Sequence, residues 1–103
     1  MLEILDVRFG AQFKKDLKLA KKRHLDIDLL KTIVNRLRAG EPLDESQRDH
    51  ELSGNHKGYR ECHIQPDWLL VYQVKQDILT LVLARTGTHS DIFWPLISRC
   101  FPT

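Results

Sequence analysis

An imidazole, a carboxylate and an indole stand within six residues of one another in HKGYRECHIQPDWLLVYQV, residues His56 to Val74. His63, Asp67 and Trp68 surround a Gln-Pro-Asp turn, where a plain hairpin would be served by Asn and Gly. Further on, LARTGTHSDIF adds Arg85 and His89. Histidine alone has an ordinary pKa that lets it act as base or acid near neutral pH. Arginine supplies a fixed charge and a planar fork that matches phosphate oxygens. An aromatic ring stacks an unpaired base for about 1–3 kcal/mol. Together these groups suit metal-free cleavage of RNA. One takes the proton from a 2′-hydroxyl, which attacks the adjacent phosphorus. A second protonates the leaving 5′-oxygen, and the cation stabilises charge on the crowded phosphate.

Each residue also has a plainer role open to it. His63 suits a structural strand position, Asp67 a turn, Arg85 a surface ion pair and Trp68 the core. His63, Asp67 and His89 also make up a two-histidine, one-carboxylate metal set, although no i, i+4 histidine pair supports it.

Whether these residues meet depends on the strands that carry them. Gly58 to Ile64 alternates, with Tyr59, Glu61 and His63 on one face and Arg60, Cys62 and Ile64 on the other. Trp68 to Val74 is strongly β-prone, and Leu79 to Arg85 follows a short Lys-Gln-Asp turn. Connections this short predict an antiparallel meander with the Trp68 strand in the middle. His63, Asp67, Trp68 and Arg85 then gather at one edge, with His89 four residues beyond Arg85. His50 is not placed by this argument. It lies in EPLDESQRDHELSGNHKG, a connection long enough to return to that edge.

Upstream, Leu2, Ile4 and the stretch to Arg8 predict a first strand. Phe13, Leu17 and Ala20 then form one helical stripe, with Gly10 before it and Lys14, Lys15, Lys18, Lys21 and Lys22 on the flank and opposite face. Those lysines read as a solvated helix face or as a phosphate-contacting surface; KKDLKLAKKRH holds six of the sixteen basic residues. A second helix is predicted from Asp26 to Ala39, stopped by Gly40 and Pro42.

The 103 residues make one domain of ordinary composition, 42% hydrophobic and 29% charged. The longest apolar run, LTLVLA, is strand-sized, so no transmembrane helix is expected, and MLEILDVRFG does not read as a signal peptide. Cys62 and Cys100 make no metal spacing and no disulfide framework, which suits a reduced, cytoplasmic setting.

The run DHELSGNHKGYRECHIQPDWLLVYQV, followed by LARTGTHSDIF, closely resembles the YafQ branch of the RelE superfamily, toxins of bacterial type II toxin–antitoxin systems. The resemblance covers about residues 1–93 and implies an α+β fold. Two N-terminal helices would pack on a twisted, mainly antiparallel sheet of about four strands, in the order β-α-α-β-β-β. It implies a metal-independent, cofactor-free endoribonuclease working on ribosome-bound mRNA, neutralised by a small DinJ- or RelB-like antitoxin. A catalytically silent ribosome-binding module of the same fold is the alternative. Carried over residue by residue, His50, His63, Asp67 and His89 match the acid–base set. Trp68 and Phe93 match residues supporting the site or substrate, Arg85 a position suited to the scissile phosphate, and Lys57 a neighbouring basic one. His24 and His56 match no role and are read as surface residues. Residues 94–103 extend past the family's usual end and are apolar for a terminus, with Trp94, Leu96, Ile97 and Phe101.

Overall fold

The computed structural model describes residues 4–92, so the expectations for Phe93 and for the extension over 94–103 lie outside the described residues. A strand β1 (Asp6–Phe9) leads into helices α1 (Ala11–Lys22) and α2 (Ile27–Arg38). A short strand β2 (His50–Glu51) follows, flanked by single 3-10 turns at Glu45–Gln47 and Gly54–His56. Strands β3 (Arg60–Gln65), β4 (Trp68–Lys75) and β5 (Thr80–Gly87) complete one sheet in the order β1-β5-β4-β3-β2. The meander is as the short connections require, with β4 between β3 and β5. One point corrects the expected architecture: the sheet has five strands rather than about four, because the long loop itself supplies β2. The sheet is mainly antiparallel, as expected, with β1 parallel to β5 as its one parallel pairing among the described residues.

Helix α2 begins where the Asp26 side chain accepts the Asp28 N–H at 3.0 Å. It buries Leu30, Ile33 and Leu37, and ends as Gly40 turns to φ 74° while Gly40 and Glu41 bond back to Leu37 and Arg36. Its apolar side joins Phe13 and Ala20 of α1 against Cys62, Ile64, Trp68, Leu70, Tyr72, Leu81 and Leu83 of the sheet. Leu69 and Val71 point the other way, where they pack with Ile92, Leu52, Tyr59 and Ala84. Strand β4 is therefore covered on both faces, the physical reason for its unbroken apolar run. Trp68 belongs to this interior. It is 2% exposed and donates its indole N–H to Thr86 Oγ1 at 2.9 Å. With both ring faces buried it offers no stacking surface.

Helix α1 buries Phe13 and Ala20 and packs Leu17 against the same core, as the expected stripe requires, but it also buries Asp16 to 8% exposure. The cause lies at the sheet edge. Strand β1 stops at Phe9, opposite Leu83, and α1 takes over beside the end of β5. There Asp16 accepts the Thr86 N–H at 3.1 Å. It also accepts Arg85 Nε at 2.8 Å and Nη2 at 3.3 Å, and Gln12 Nε2 at 3.2 Å. A carboxylate loses its hydration here because four donors replace it. Asp16→Ala would leave the Arg85 guanidinium and the Thr86 N–H without their acceptor, at a cost of about 3 kcal/mol. Thermal unfolding followed by circular dichroism should show a midpoint lowered by on the order of 10–20 °C. A drop of only a degree or two would refute the central role given to Asp16.

Candidate active site

The tip of the sheet is shaped by Pro66 and Asp67, which turn β3 into β4 across a bulge between His63 and Gln65. In this register His63 lies opposite Leu69 and Glu61 opposite Val71. Both side chains therefore rise from the face away from the helices, as the alternation of β3 requires. Glu61 is 5% exposed and sits at the centre of the polar residues there.

His50 reaches this face because β2 pairs with β3, setting His50 opposite Glu61. Its loop is fastened on both sides. Asp44 and Gln47 exchange the two bonds of a capping box around the first 3-10 turn, and Arg48 then adopts a left-handed conformation (φ 47°). Asp49 accepts from the Tyr72 hydroxyl and from Arg60 Nε. Burial and the Asp49 carboxylate hold the Tyr72 phenol well above its ordinary pKa, so Tyr72 stays a neutral donor. The His50 ring lies between two oxygens. Nδ1 is 2.7 Å from the Arg48 carbonyl and Nε2 is 3.4 Å from Glu61 Oε1. His63 Nε2 lies 4.0 Å from the same Glu61 oxygen, while Glu61 Oε2 has no hydrogen-bond partner among the described residues.

His89 enters from the end of β5. Strand β5 stops at Gly87, where any Cβ would lie 2.9 Å from Asp91. Thr88 and Asp91 then cap a helical turn that begins at 89. The Thr88 N–H reaches Asp91 Oδ2 at 3.0 Å and the Asp91 N–H reaches Thr88 Oγ1 at 3.1 Å. This turn delivers the His89 Nδ1 to 3.2 Å from Asp67 Oδ1. The His89 ring also meets His63 edge-on, centroid to centroid 5.6 Å. His50, His63, Asp67 and His89 are thus brought together, linked through Glu61 on one side and the two-imidazole contact on the other. His63 is sheltered at the centre, while His50, Asp67 and His89 are open to solvent.

Arg85 is brought to the same end but is engaged, with Nε and Nη2 on Asp16 and Nη2 also on the Asp91 carbonyl at 3.3 Å. Lys57 is exposed in the turn between β2 and β3. His24 is exposed, as expected, whereas His56 is half-buried and so is more than a surface residue. Among the described residues, no three or more His, Cys, Asp or Glu side chains gather closely enough to hold a metal ion. The same region contains participants that sequence reasoning passed over: Glu61, Asp16 and Asp91. Only Glu61 left a signal, because alternation had already set it on the face of His63.

With its helices on one face of the sheet and a histidine–carboxylate cluster on the other, the chain matches toxins of type II toxin–antitoxin systems. The family model for the "bacterial toxin of type II toxin-antitoxin system, YafQ" matches residues 5–94, and the chain belongs to that family. It is 42% identical over 89 residues to the mRNA interferase toxin YafQ of Escherichia coli K12, covering 85% of this chain and 95% of that protein. It superposes with TM-score 0.78 on a chain of the E. coli DinJ-YafQ toxin-antitoxin complex, at 41% identity, covering 86% of this chain and 97% of that one. A metal-bound toxin from Helicobacter pylori superposes with TM-score 0.83 at 43% identity, covering 87% of this chain and all of that one.

The Asp91 carboxylate has a measurable consequence. The Arg23 fork, 2.7 and 3.4 Å from its two oxygens, together with the Thr88 donors, holds its pKa down to about 2 against the opposing effect of burial. A depressed carboxylate contributes stability that is complete above its unfolded pKa of about 4 and is lost as pH falls towards 2. Because Arg23 is largely exposed, that contribution is limited to about 0.5–1 kcal/mol. Urea unfolding across pH 4 to 2 should therefore fall more steeply for the wild type than for Asp91→Asn. Parallel curves would disprove the coupling.

Proposed function

We propose that the chain cleaves ribosome-bound mRNA by general acid–base catalysis, without a metal ion or other cofactor. It is an endoribonuclease of the mRNA interferase kind, acting as the toxin partner of a small antitoxin. The observation that carries this reading is the convergence of His50, His63 and the Asp67–His89 pair on one sheet face around the buried Glu61. Binding RNA calls for lysines and aromatic rings; three imidazoles with two carboxylates are groups for moving protons.

In the proposed reaction one imidazole removes the 2′-hydroxyl proton. The 2′-oxygen attacks the adjacent phosphorus, a second imidazole protonates the departing 5′-oxygen, and the products are a 2′,3′-cyclic phosphate and a 5′-hydroxyl end. Asp67 accepts from His89 Nδ1 and so orients the ring and favours one of its tautomers. Glu61 stands between His50 and His63, its Oε1 3.4 Å from Nε2 of the first and 4.0 Å from Nε2 of the second. Arg85, with Nη1 remaining beyond its bonds to Asp16 and Asp91, offers a donor to the crowded phosphate, and Lys57 a second cation. Trp68 supports the floor from within, and Phe93 is assigned to substrate support through the family resemblance. Lys14, Lys15, Lys18, Lys21 and Lys22, all exposed on α1, supply attraction to ribosomal phosphates.

The antitoxin reading has support of its own. Between α1, α2 and β1 runs an open groove of about 420 Å³ whose walls include Phe9, Leu17 and Val34 and whose rim carries Lys21, Lys31 and Arg38. Apolar walls under a basic rim suit an acidic, amphipathic segment that orders on binding.

The decisive measurement is single-turnover mRNA cleavage on ribosomes, run beside ribosome co-sedimentation. His63→Ala and His89→Ala should each lose about 10²–10⁴-fold in rate, and Glu61→Gln a smaller amount, with ribosome affinity little changed. A folded His50/His63/His89 triple alanine variant that still cleaves at the wild-type rate would sink the assignment and leave a binding module.

Metal independence is tested on the isolated protein by titration with zinc and manganese. The expected result is no stoichiometric binding. Tight binding that disappears when His63, Asp67 and His89 are replaced would show the metal reading to be correct.

A further inference from the structure

Arg23 ends the basic run of α1 and by composition reads as one more phosphate contact. Its guanidinium is committed elsewhere. From the C-cap of α1 it reaches across to Asp91, Nη1 to Oδ2 at 2.7 Å and Nη2 to Oδ1 at 3.4 Å, the two-pronged fit of a guanidinium on a carboxylate. The Asp91 oxygen nearest Arg23 is also the one that accepts the Thr88 N–H, so a single carboxylate serves both the cap of the turn and the link to α1. A second strut runs in parallel. Asp16, one and a half to two turns earlier on α1, holds Arg85, whose Nη2 reaches the Asp91 carbonyl at 3.3 Å. Helix α1 therefore grips the 88–91 turn by its side chain and by its backbone. His89 lies inside that grip, with its backbone N–H and ring Nδ1 both directed at Asp67 Oδ1, 3.4 and 3.2 Å away.

We infer that Arg23 is a positioning residue for His89: its ion pair with Asp91 latches the 88–91 turn to α1 and so fixes the imidazole against Asp67 and His63. The inference rests on the ribonuclease reading of His89 for its effect on rate, though not for its effect on the position of the ring. Among the described residues, little of this turn is buried. Thr88 and Asp91 are only partly buried, His89 and Ser90 are exposed, and Ile92 is the one buried side chain among residues 88–92. Misplacing a reacting group by about 1 Å costs as much as 10²-fold in rate. Loosening the latch while leaving the Asp16–Arg85 strut in place should cost less, roughly 10-fold.

The test uses the full chain with Arg23→Gln, Asp91→Asn and the double variant. Asn retains an oxygen that caps the Thr88 N–H, so Asp91→Asn removes the ion pair while keeping the cap. Each single variant is expected to cleave roughly 10-fold more slowly in single turnover on ribosomes, with co-sedimentation unchanged. The double variant should be no slower than either single, because both break one interaction. Independently of activity, the His89 ring signal in histidine-labelled protein, assigned with His89→Gln, should shift or broaden in both single variants while that of His50 stays in place. If Arg23→Gln weakens ribosome binding, Asp91→Asn does not, and the double behaves additively, Arg23 is a nucleic-acid contact and the latch is wrong. If Asp91→Asn leaves both the rate and the His89 signal at wild-type values, the latch is likewise wrong. Should His63→Ala in the same assay cleave as well as the wild type, the ribonuclease reading fails instead, and the His89 signal alone then decides the latch.

Discussion

The Asp16 carboxylate, drawn under helix α1 to the end of β5, is the contact through which the two halves of the molecule are registered. Strand β1 is only four residues long and leaves the last part of β5 without a strand neighbour on that side. A bare sheet edge beside a helix would strand the Thr86 N–H; Asp16 accepts it and takes the Arg85 guanidinium in the same grip. Burying a carboxylate is unfavourable by itself, and only a full complement of donors makes it tolerable. Apart from Gln12, one turn away, those donors come from Arg85 and Thr86, about seventy positions along the chain, so they are in place only once α1 has packed beside β5. Local helix formation and long-range strand pairing are thereby tied to one geometry.

From that anchor the functional end of the molecule follows in sequence. Thr86 accepts the Trp68 indole N–H and donates its own hydroxyl to the Leu69 carbonyl, locking β5 to β4 at the tip. Gly87 leaves room for Asp91 to fold back and cap the turn, and the turn presents His89. Trp68, Thr86 and Asp16 are buried and bonded, whereas His50 and His89 stand at the surface. Rigid strands with short, pinned turns are the arrangement that keeps reactive groups within the fraction of an ångström that proton transfer demands.

The sheet divides its labour by face. On the helix side, the large aromatic and aliphatic residues of β3, β4 and β5 make the core. On the other, a small apolar cluster around Leu69, Val71 and Ile92 forms a dry base from which Glu61, His63 and His50 emerge. Glu61 is the buried member of this polar group and His63 the sheltered one, while His50, His89 and Asp67 form the exposed rim. The same alternation along β3 that builds the core therefore also builds the site.

Much of this was legible without coordinates. Alternation assigned Glu61 and His63 to one face and Cys62 and Ile64 to the other, and short connections gathered His63, Asp67, Trp68 and Arg85 at one edge, with His89 in reach of it. Those are consequences of a period of two residues and of turns too short to do anything else. The return of His50 was not legible, because it needed the pairing of a two-residue strand at the end of a long loop. Nor was the depth of Glu61, the burial of Asp16, or the commitment of Arg23 and Arg85 to carboxylates far along the chain. Periodicity tells which side of an element a residue faces. It does not tell which polar groups lose their water when elements meet, and those groups must take whatever partner packing brings within bonding distance.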